Sequence, residues 1–165
     1  MSRRQGRKGN AIVEFTLVAI PFIFILISIS EMCRGMWDYH SLAEAVKVAC
    51  RNASTRGADC AGQACATSIG ALSTTISGFA VGMPASALDV TFTSAAGSVT
   101  CNPLSTCTSS GTVWPPSGGN SVGSNISISA SYNFTSMIMM FVPGKTGVQF
   151  SGVTFSAKSE QMIVY

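Results

Sequence analysis

The first strong pattern in the chain is an apolar run from Ala11 to Ser30, which contains one charged residue, Glu14. At 1.5 Å of rise per helical residue, about twenty apolar residues match the ~30 Å hydrocarbon core of a bilayer. Basic residues, which favour the cytoplasmic side of a membrane span, precede the run: Arg3, Arg4, Arg7 and Lys8. The pattern predicts one transmembrane helix over residues 10–30, with its N-terminus in the cytoplasm.

The helical pattern continues beyond this run as an amphipathic stem over residues 31–57. Apolar or small residues recur every three or four positions, as they do on one face of a helix: Met32, Met36, Tyr39, Leu42, Ala43, Val46, Ala49, Cys50 and Ala53. Most charged residues, including Asp38, fall between these positions, and Gly57 is placed to end the helix. We therefore expect one long helix that leaves the membrane and continues into the rest of the protein.

The pattern after Gly57 becomes mixed. Residues Ala64–Gly78 favour a second helix, which Met83-Pro84 would terminate, with three apolar residues on one face: Ile69, Leu72 and Ile76. The C-terminal part of the chain is then dominated by strand patterns. These features predict an α+β protein with a small extracytoplasmic head.

Alternation of apolar and polar residues predicts three strands in the head. Leu88–Thr93 is the first, Asn125–Phe134 is the clearest, and Phe150–Tyr165 contains the last, which is a strand or a hairpin. Such alternation is typical of an antiparallel sheet with one face on the core. The Ser-, Gly- and Pro-rich segment Ser94–Asn125 predicts a long loop or irregular hairpin. The apolar run Met137–Val142 fits either a plug in the core or an exposed contact patch.

The acidic residue inside the apolar run requires an explanation, because a carboxylate costs about 2.5–3.5 kcal/mol at the bilayer centre and less towards its edge. Glu14 is the fifth residue after Gly9, which ends the basic leader, and Phe15 follows it. This arrangement resembles the processing site of type IV prepilins. The resemblance implies that a prepilin peptidase cuts between Gly9 and Asn10 on the cytoplasmic face.

Cleavage at this site would create a cationic amino group on Asn10. Asn10 and Glu14 share a helix face, and a carboxylate near the start of a helix complements the helix dipole. In a bundle of such helices, Glu14 of one subunit could meet the Asn10 amine of its neighbour. Because an unpaired buried charge is expensive, this ion pair would set the axial register.

An ordinary secretory signal peptide is the alternative for the same segment. Ser28-Ile29-Ser30 could serve as its small-residue cleavage site, which would release a secreted binding module. Such signals seldom carry a glutamate in their apolar region. The N-terminus of the mature protein, Asn10 or Glu31, separates the two alternatives.

Pro21 lies within the apolar run. Proline removes one helical hydrogen bond and clashes with the preceding turn, so a kink or local melting is expected there. A helix that can extend near Pro21 would help a subunit leave the membrane, while a simple structural kink is the alternative.

The chain as a whole carries a narrower resemblance. The motif Gly9–Phe15, followed by Pro21, Glu31 and an Ala-rich stem, resembles TadE-like proteins, minor pseudopilins of the tight-adherence (Flp) pilus system. The likeness is best over residues 9–56 and weaker over 126–160. It implies a role in pilus assembly, surface adhesion or biofilm formation.

The same resemblance implies the partners: a prepilin peptidase, other pilins or pseudopilins, an inner-membrane assembly platform and membrane lipid. Together, the residue patterns and the resemblance divide the chain into a leader (1–9), a transmembrane segment (10–30), a stem (31–57) and, from the residues alone, a disulfide-stapled head (58–165). The place implied is the bacterial inner membrane or the pilus itself. A subunit of a related secretion pseudopilus is an alternative that the residues leave open.

Charge excludes nucleic acid as a partner. Charged residues make up only 10% of the 165 residues, against the usual ~25%. The net charge of +3 comes from the leader, because removing Met1–Gly9 takes four of the ten basic residues and leaves six against seven acidic ones. The remaining chain has no basic stripe for phosphates.

The cysteines fit an extracytoplasmic head, since disulfides persist in such compartments. The candidates for disulfide bonding lie beyond the apolar run: Cys50, Cys60, Cys65, Cys101 and Cys107. Local pairs, Cys60–Cys65 and Cys101–Cys107, are the favoured arrangement and leave Cys50 and Cys33 unassigned. Six cysteines allow 15 pairings, so the connectivity stays open. Their spacing lacks the pattern of zinc sites.

The residues predict neither an enzyme, a metal site nor a cofactor site. His40 is the single histidine and lies on the stem, so a Ser–His–acid arrangement is not credible. The acidic residues of the head are scattered without paired spacing: Asp59, Asp89 and Glu160. A membrane-anchored enzyme is the weakest alternative.

Overall fold

The computed structural model describes residues 7–57, 67–136 and 152–164. The helices are α1 (Arg7–Ser54) and α2 (Ile69–Phe79), and the strands are β1 (Leu88–Ser94), β2 (Gly97–Cys101), β3 (Asn125–Phe134) and β4 (Val153–Met162). Two short 3-10 helices cover Ala85–Ala87 and Leu104–Cys107. The predicted α+β class is confirmed: a long N-terminal helix is joined to a small antiparallel sheet.

Helix α1 is 48 residues long and unbroken, including at Pro21. At 1.5 Å per residue it extends for about 72 Å. It ends at Ser54, three residues before the expected terminator Gly57. A kink at Pro21 stays a prediction, and the residues on both sides of it belong to the same helix.

The sheet has the strand order β2-β1-β3-β4, with all neighbours antiparallel. Near the centre of the sheet, Phe92 of β1 pairs with Ile128 of β3, and Ile128 pairs with Ser159 of β4. Strand β2 forms a hairpin with β1 in the segment that was expected to be loop or irregular hairpin. The turn ends at Gly97, whose φ of 138° is accessible to glycine but strained for other residues.

Strand β3 has the bounds that its alternation predicts. Its inward residues are buried together with those of β1. Helix α1 packs on β3 and β4, and α2 packs on α1. The core combines residues from every layer: Leu42, Val46, Ala49, Ile69, Leu72, Ile76, Leu88, Val90, Phe92, Trp114, Ile126, Ile128 and Ala130. The head is therefore a two-layer structure whose helical layer includes the second half of α1.

Helix α2 begins later than the sequence pattern suggested. Ser68 caps its N-terminus, accepting a hydrogen bond from the Ala71 amide at 3.1 Å. A Cβ atom on Gly70 would lie 2.6 Å from the Ser110 carbonyl oxygen, so only glycine fits this approach. The predicted apolar face is confirmed, since its three residues are buried: Ile69, Leu72 and Ile76.

The predicted apolar stripe of the stem is confirmed from Leu42 to Ala53 and is wrong before Leu42. Met32 and Met36 are 70% and 60% exposed, whereas Gly35 and Asp38 are buried. The stripe shifts by one position because two phenylalanine rings of the sheet pack against α1 at Gly35. The carbon Cζ of Phe155 would lie 3.4 Å from a Cβ there.

Candidate functional site at the N-terminal helix

The proposed processing motif lies in the first turns of α1. Gly9 and Asn10 belong to the helix, as do Arg7 and Lys8, while Arg3 and Arg4 lie outside the described residues. Glu14 falls one helical turn after Asn10 on the same face. The helix starts at Arg7, so its first turn carries no acidic residue. Only removal of the leader would bring Glu14 close to a helix start.

The segment that follows the motif is exposed on all sides. The most apolar 18 consecutive residues of this segment have a mean hydropathy of 2.6, and none of them is buried in the protein. Phe15 is among its exposed residues. Two hydroxyl groups inside the run are bonded within the helix: Thr16 donates to the Val13 carbonyl oxygen at 2.9 Å and Ser28 to that of Phe24 at 2.8 Å. A helix with apolar residues all round suits a lipid environment.

The helix is clamped to the head just beyond this segment, at Arg34. Its guanidinium donates to the Thr135 carbonyl oxygen at 2.6 Å and stacks 4.7 Å from the centre of the Phe134 ring. The same group lies 3.7 Å from the Glu31 carboxylate. Charge-assisted hydrogen bonds and ring stacking hold arginine in a defined geometry. Arg34 therefore joins α1 to the end of β3.

A groove of about 530 Å³ opens beside this clamp, between α1 and the ends of β3 and β4. Gly35 is one of its lining residues, and aromatic and aliphatic side chains form most of its walls. Its lining residues are Glu31, Met32, Gly35, Met36, Tyr39, His40, Phe134, Ser136, Val153 and Phe155. Tyr39 packs edge-on against Phe155, with ring centroids 6.1 Å apart. The groove is apolar and directly follows the exposed segment of α1.

Asp38 is a charged group on the packed face of the stem. Its side chain faces the turn at Gly82, where a Cβ would lie 3.5 Å from a carboxylate oxygen. Burial raises the pKa of Asp38, and the positive charge of Arg34 opposes this shift. The sequence placed Asp38 on the polar face, and the structure corrects this: tight packing of the α2–β1 connection covers it.

The cysteines divide into bonded and free groups among the described residues. The predicted pair Cys101–Cys107 is confirmed as a disulfide. Cys50, a disulfide candidate in the sequence, is instead a buried free thiol that donates to the Ser159 carbonyl oxygen at 3.5 Å. Burial raises the pKa of this thiol. Cys33 is free and exposed. The pair Cys60–Cys65 and the run Met137–Val142 lie outside the described residues.

Sequence reasoning missed the residues that join the stem to the head: Arg34, Gly35, Phe134 and Phe155. One signal was present, since an isolated glycine inside a helix often marks a close approach of another element. His40 lies on the exposed side of the stem and at the edge of the groove. In the part of the chain that the structure describes, no group of three metal-ligating side chains comes together.

Comparison with known proteins gives a match for the N-terminal helix. The family model of TadE-like proteins matches residues 9–51, which cover both the exposed segment and the packed stem. Comparisons with curated proteins and with solved structures returned no match. The setting of this family is the Tad pilus, and it is a family of pilus components. The resemblance of this chain to TadE-like proteins is thus confirmed over residues 9–51.

Proposed function

We propose that the protein is a minor pilin or pseudopilin that takes part in assembly of a type IV pilus of the tight-adherence (Flp) class. In that role it supports surface adhesion and biofilm formation. The observation that carries the proposal is the construction of α1: one unbroken helix has an exposed apolar first half and a second half built into a folded head. The TadE-like match spans both halves.

Residues 1–9 act as a leader that a prepilin peptidase removes between Gly9 and Asn10. Residues 10–30 then span the inner membrane, the stem 31–57 leads out of it, and the head within 58–165 lies outside the cytoplasm. The basic leader supports this orientation because positive charge is retained on the cytoplasmic side. The disulfide Cys101–Cys107 also supports a head in an oxidising compartment.

Glu14 serves assembly and register, and Phe15 lies beside it on the exposed segment. Placing the ionised Glu14 carboxylate in lipid costs free energy, and a positive charge beside it would offset that cost. The new amino group on Asn10 of a neighbouring subunit is such a charge. Pro21 provides a weak point where the span can bend or extend when the subunit leaves the membrane. The partners are therefore other pilins or pseudopilins and the inner-membrane assembly platform.

The role of the protein is structural rather than enzymatic. The TadE-like family is a pilus-component family, and the polar groups around the stem form clamps rather than a catalytic arrangement. Arg34 is engaged with a carbonyl oxygen and a carboxylate. Rigid coupling of a span to a head is what a filament subunit requires.

Intact-mass analysis of the chain from cells with and without the peptidase tests the proposal. We expect a mature chain that begins at Asn10 in the first case and an uncut chain in the second. A product that begins at Met1 with the peptidase present, or at Glu31, would contradict the proposal. Loss of pilus-dependent surface attachment in a deletion strain tests the adhesion role separately.

The variant Glu14→Ala tests the register role. We expect normal cleavage but loss of assembly, measured as the fraction of subunits in sheared filaments. The matched control is Glu44→Ala, because Glu44 is an exposed stem residue whose pairing with Lys47 at 3.8 Å is a surface ion pair of little consequence. Assembly that is equally efficient in both variants would refute the role of Glu14.

A further inference from the structure

The apolar groove beside Arg34 lies at the height of the membrane surface if α1 spans the bilayer as proposed. Gly35 follows Ser30 by five residues, which places it about 7.5 Å further along the helix. The headgroup layer on each side of a ~30 Å hydrocarbon core is about 5–8 Å thick. The lower end of the groove therefore opens next to hydrocarbon, and its upper end extends beyond the headgroups.

The walls of the groove are too apolar to remain in water without cost. Phe134 and Phe155 pack with ring centroids 5.4 Å apart and form one wall, and the exposed Val153 stands at its edge. On the helix side, Met32 and Met36 project from the stem with most of their surface uncovered. Contiguous apolar surface of this kind marks a binding site for a protein, a ligand or a membrane.

We propose that this groove binds one acyl chain of a phospholipid from the leaflet on the side of the head. This inference rests on the proposed membrane span. The size of the groove supports it: a CH₂ group fills roughly the ~30 Å³ that a water molecule occupies in the liquid, so 530 Å³ holds about eighteen such groups. That is the bulk of a single fatty acyl chain. Continuity of the groove with the apolar segment of α1 makes lipid its nearest apolar neighbour.

The bound chain removes the groove walls from water and holds the head against the membrane surface. Hydrocarbon gains nothing by leaving the bilayer for an equally apolar groove, so the driving force is the covering of the protein's own aromatic and methionine side chains. Arg34 keeps the two walls in place through its contacts with Glu31, Phe134 and Thr135. The orientation of the head relative to the membrane is thereby restricted before assembly.

Photolabelling of the full chain in bilayer nanodiscs tests this proposal. The nanodiscs contain phosphatidylcholine with a diazirine group in its acyl chain. After illumination, adducts are mapped by peptide mass spectrometry. We expect adducts on residues 11–30 and also on Phe134 and Phe155. The latter two residues belong to the sheet of the head, so a helix that merely crosses the bilayer would not label them.

Gly35→Leu adds a side chain to the groove lining beside the Phe155 ring. It should reduce the adducts on Phe134 and Phe155 by about tenfold or more, which corresponds to about 1.4 kcal/mol. Labelling of residues 11–30 should not change. The matched control is Gly78→Leu, since Gly78 also lies in a helix and has no neighbouring atom within 4 Å of an added Cβ. If Gly35→Leu fails to fold, Val153→Asn makes the groove edge polar and should give the same selective loss.

The outcomes separate the two proposals. Absence of adducts on residues 11–30 would refute the membrane span. Adducts on 11–30 without adducts on Phe134 or Phe155 would refute the groove as a lipid site and leave the span intact. Cross-links that show residues 137–151 of the same chain, or a second copy of the protein, in the groove would also overturn the lipid assignment.

Discussion

The two halves of α1 have opposite surroundings, and the more apolar first half is the exposed one. Leu17 in the first half is 71% exposed, whereas Leu42 in the second half is 0% exposed, although both are leucines of one continuous helix. The first half carries apolar residues on every side, and the second half carries them as a stripe. Burial in the head therefore accompanies the stripe arrangement, since the half with the larger share of apolar residues is not buried.

This difference explains how one helix can serve two environments. A stripe can be covered by a single sheet face, so the stem folds into the head. A helix that is apolar all round cannot be covered in this way and requires lipid or other helices. The boundary between the two halves lies at Glu31–Arg34, where an ion pair and the Arg34 clamp occur together.

The largest difference between the two halves of α1 should appear when one leucine in each half is truncated and the free energy of unfolding of the head is measured. Leu42→Ala should lower the free energy of unfolding of the head by about 2–5 kcal/mol, because it leaves a cavity in a packed core. Leu17→Ala should change it by less than about 0.5 kcal/mol. Denaturant unfolding in detergent micelles, followed by fluorescence of the buried Trp114, measures both. Equal losses in the two variants would show that the first half also packs on the head.

A charge placed in the first half should affect membrane insertion alone. Ile23→Asp should make insertion of the segment less favourable by about 2.5–3.5 kcal/mol, since a carboxylate at the centre of a span is poorly solvated. A translocon insertion assay measures this change, with Ile23→Val as the control. The thermal midpoint of the head should stay unchanged. A lowered midpoint would place Ile23 in contact with the folded head.

Removal of a cysteine from the head and removal of one from the start of the stem should have different effects on the stability of the head. Cys101→Ser removes a disulfide that closes a loop of about seven residues, and the chain-entropy relation gives a loss of about 2 kcal/mol. Cys33→Ser changes an exposed free thiol at the start of the stem and should leave the stability of the head unchanged. Differential scanning calorimetry under non-reducing conditions compares them. A comparable loss from Cys33→Ser would indicate that this thiol has a bonded partner.

The smallest expected effect concerns Asp38, the charged residue that the head covers. Because burial raises the pKa of its carboxyl group, the folded state binds a proton more tightly than the unfolded state. Stability should therefore fall as the pH rises from the ordinary value near 3.9 through the raised pKa. Asp38→Asn should remove this part of the pH dependence and raise stability at neutral pH by on the order of 0.5–1 kcal/mol.

Unfolding midpoints from pH 4 to 7 measure this slope, with Glu44→Gln as the control for a surface carboxylate. An unchanged slope in Asp38→Asn would show that Asp38 does not titrate differently in the folded and unfolded states. The same slope in both variants would assign the pH dependence to general surface charge.

Most elements of the fold were predictable because their signals are local. The apolar run, the stripe from Leu42 onward, the alternation in Asn125–Phe134 and the short spacing of Cys101 and Cys107 each reside in a few neighbouring residues. The predictions were wrong where distant segments meet. Met32 and Met36 satisfy the helical period but face outward, because the rings of Phe134 and Phe155 pack at Gly35 instead.

By itself, the sequence determined the long helix, its apolar and amphipathic halves, the α+β class and the placement of Gly9 and Glu14 around the proposed cleavage site. These depend on periodicity and spacing, which are properties of the chain before it folds. Only the tertiary structure decided that Arg34 clamps the stem to Thr135, 101 residues away, that Asp38 is buried, that Cys50 is a free thiol and that an apolar groove lies beside Gly35. Such features depend on which surfaces of the helix and the sheet pack together, and a local sequence pattern does not specify contacts between distant segments.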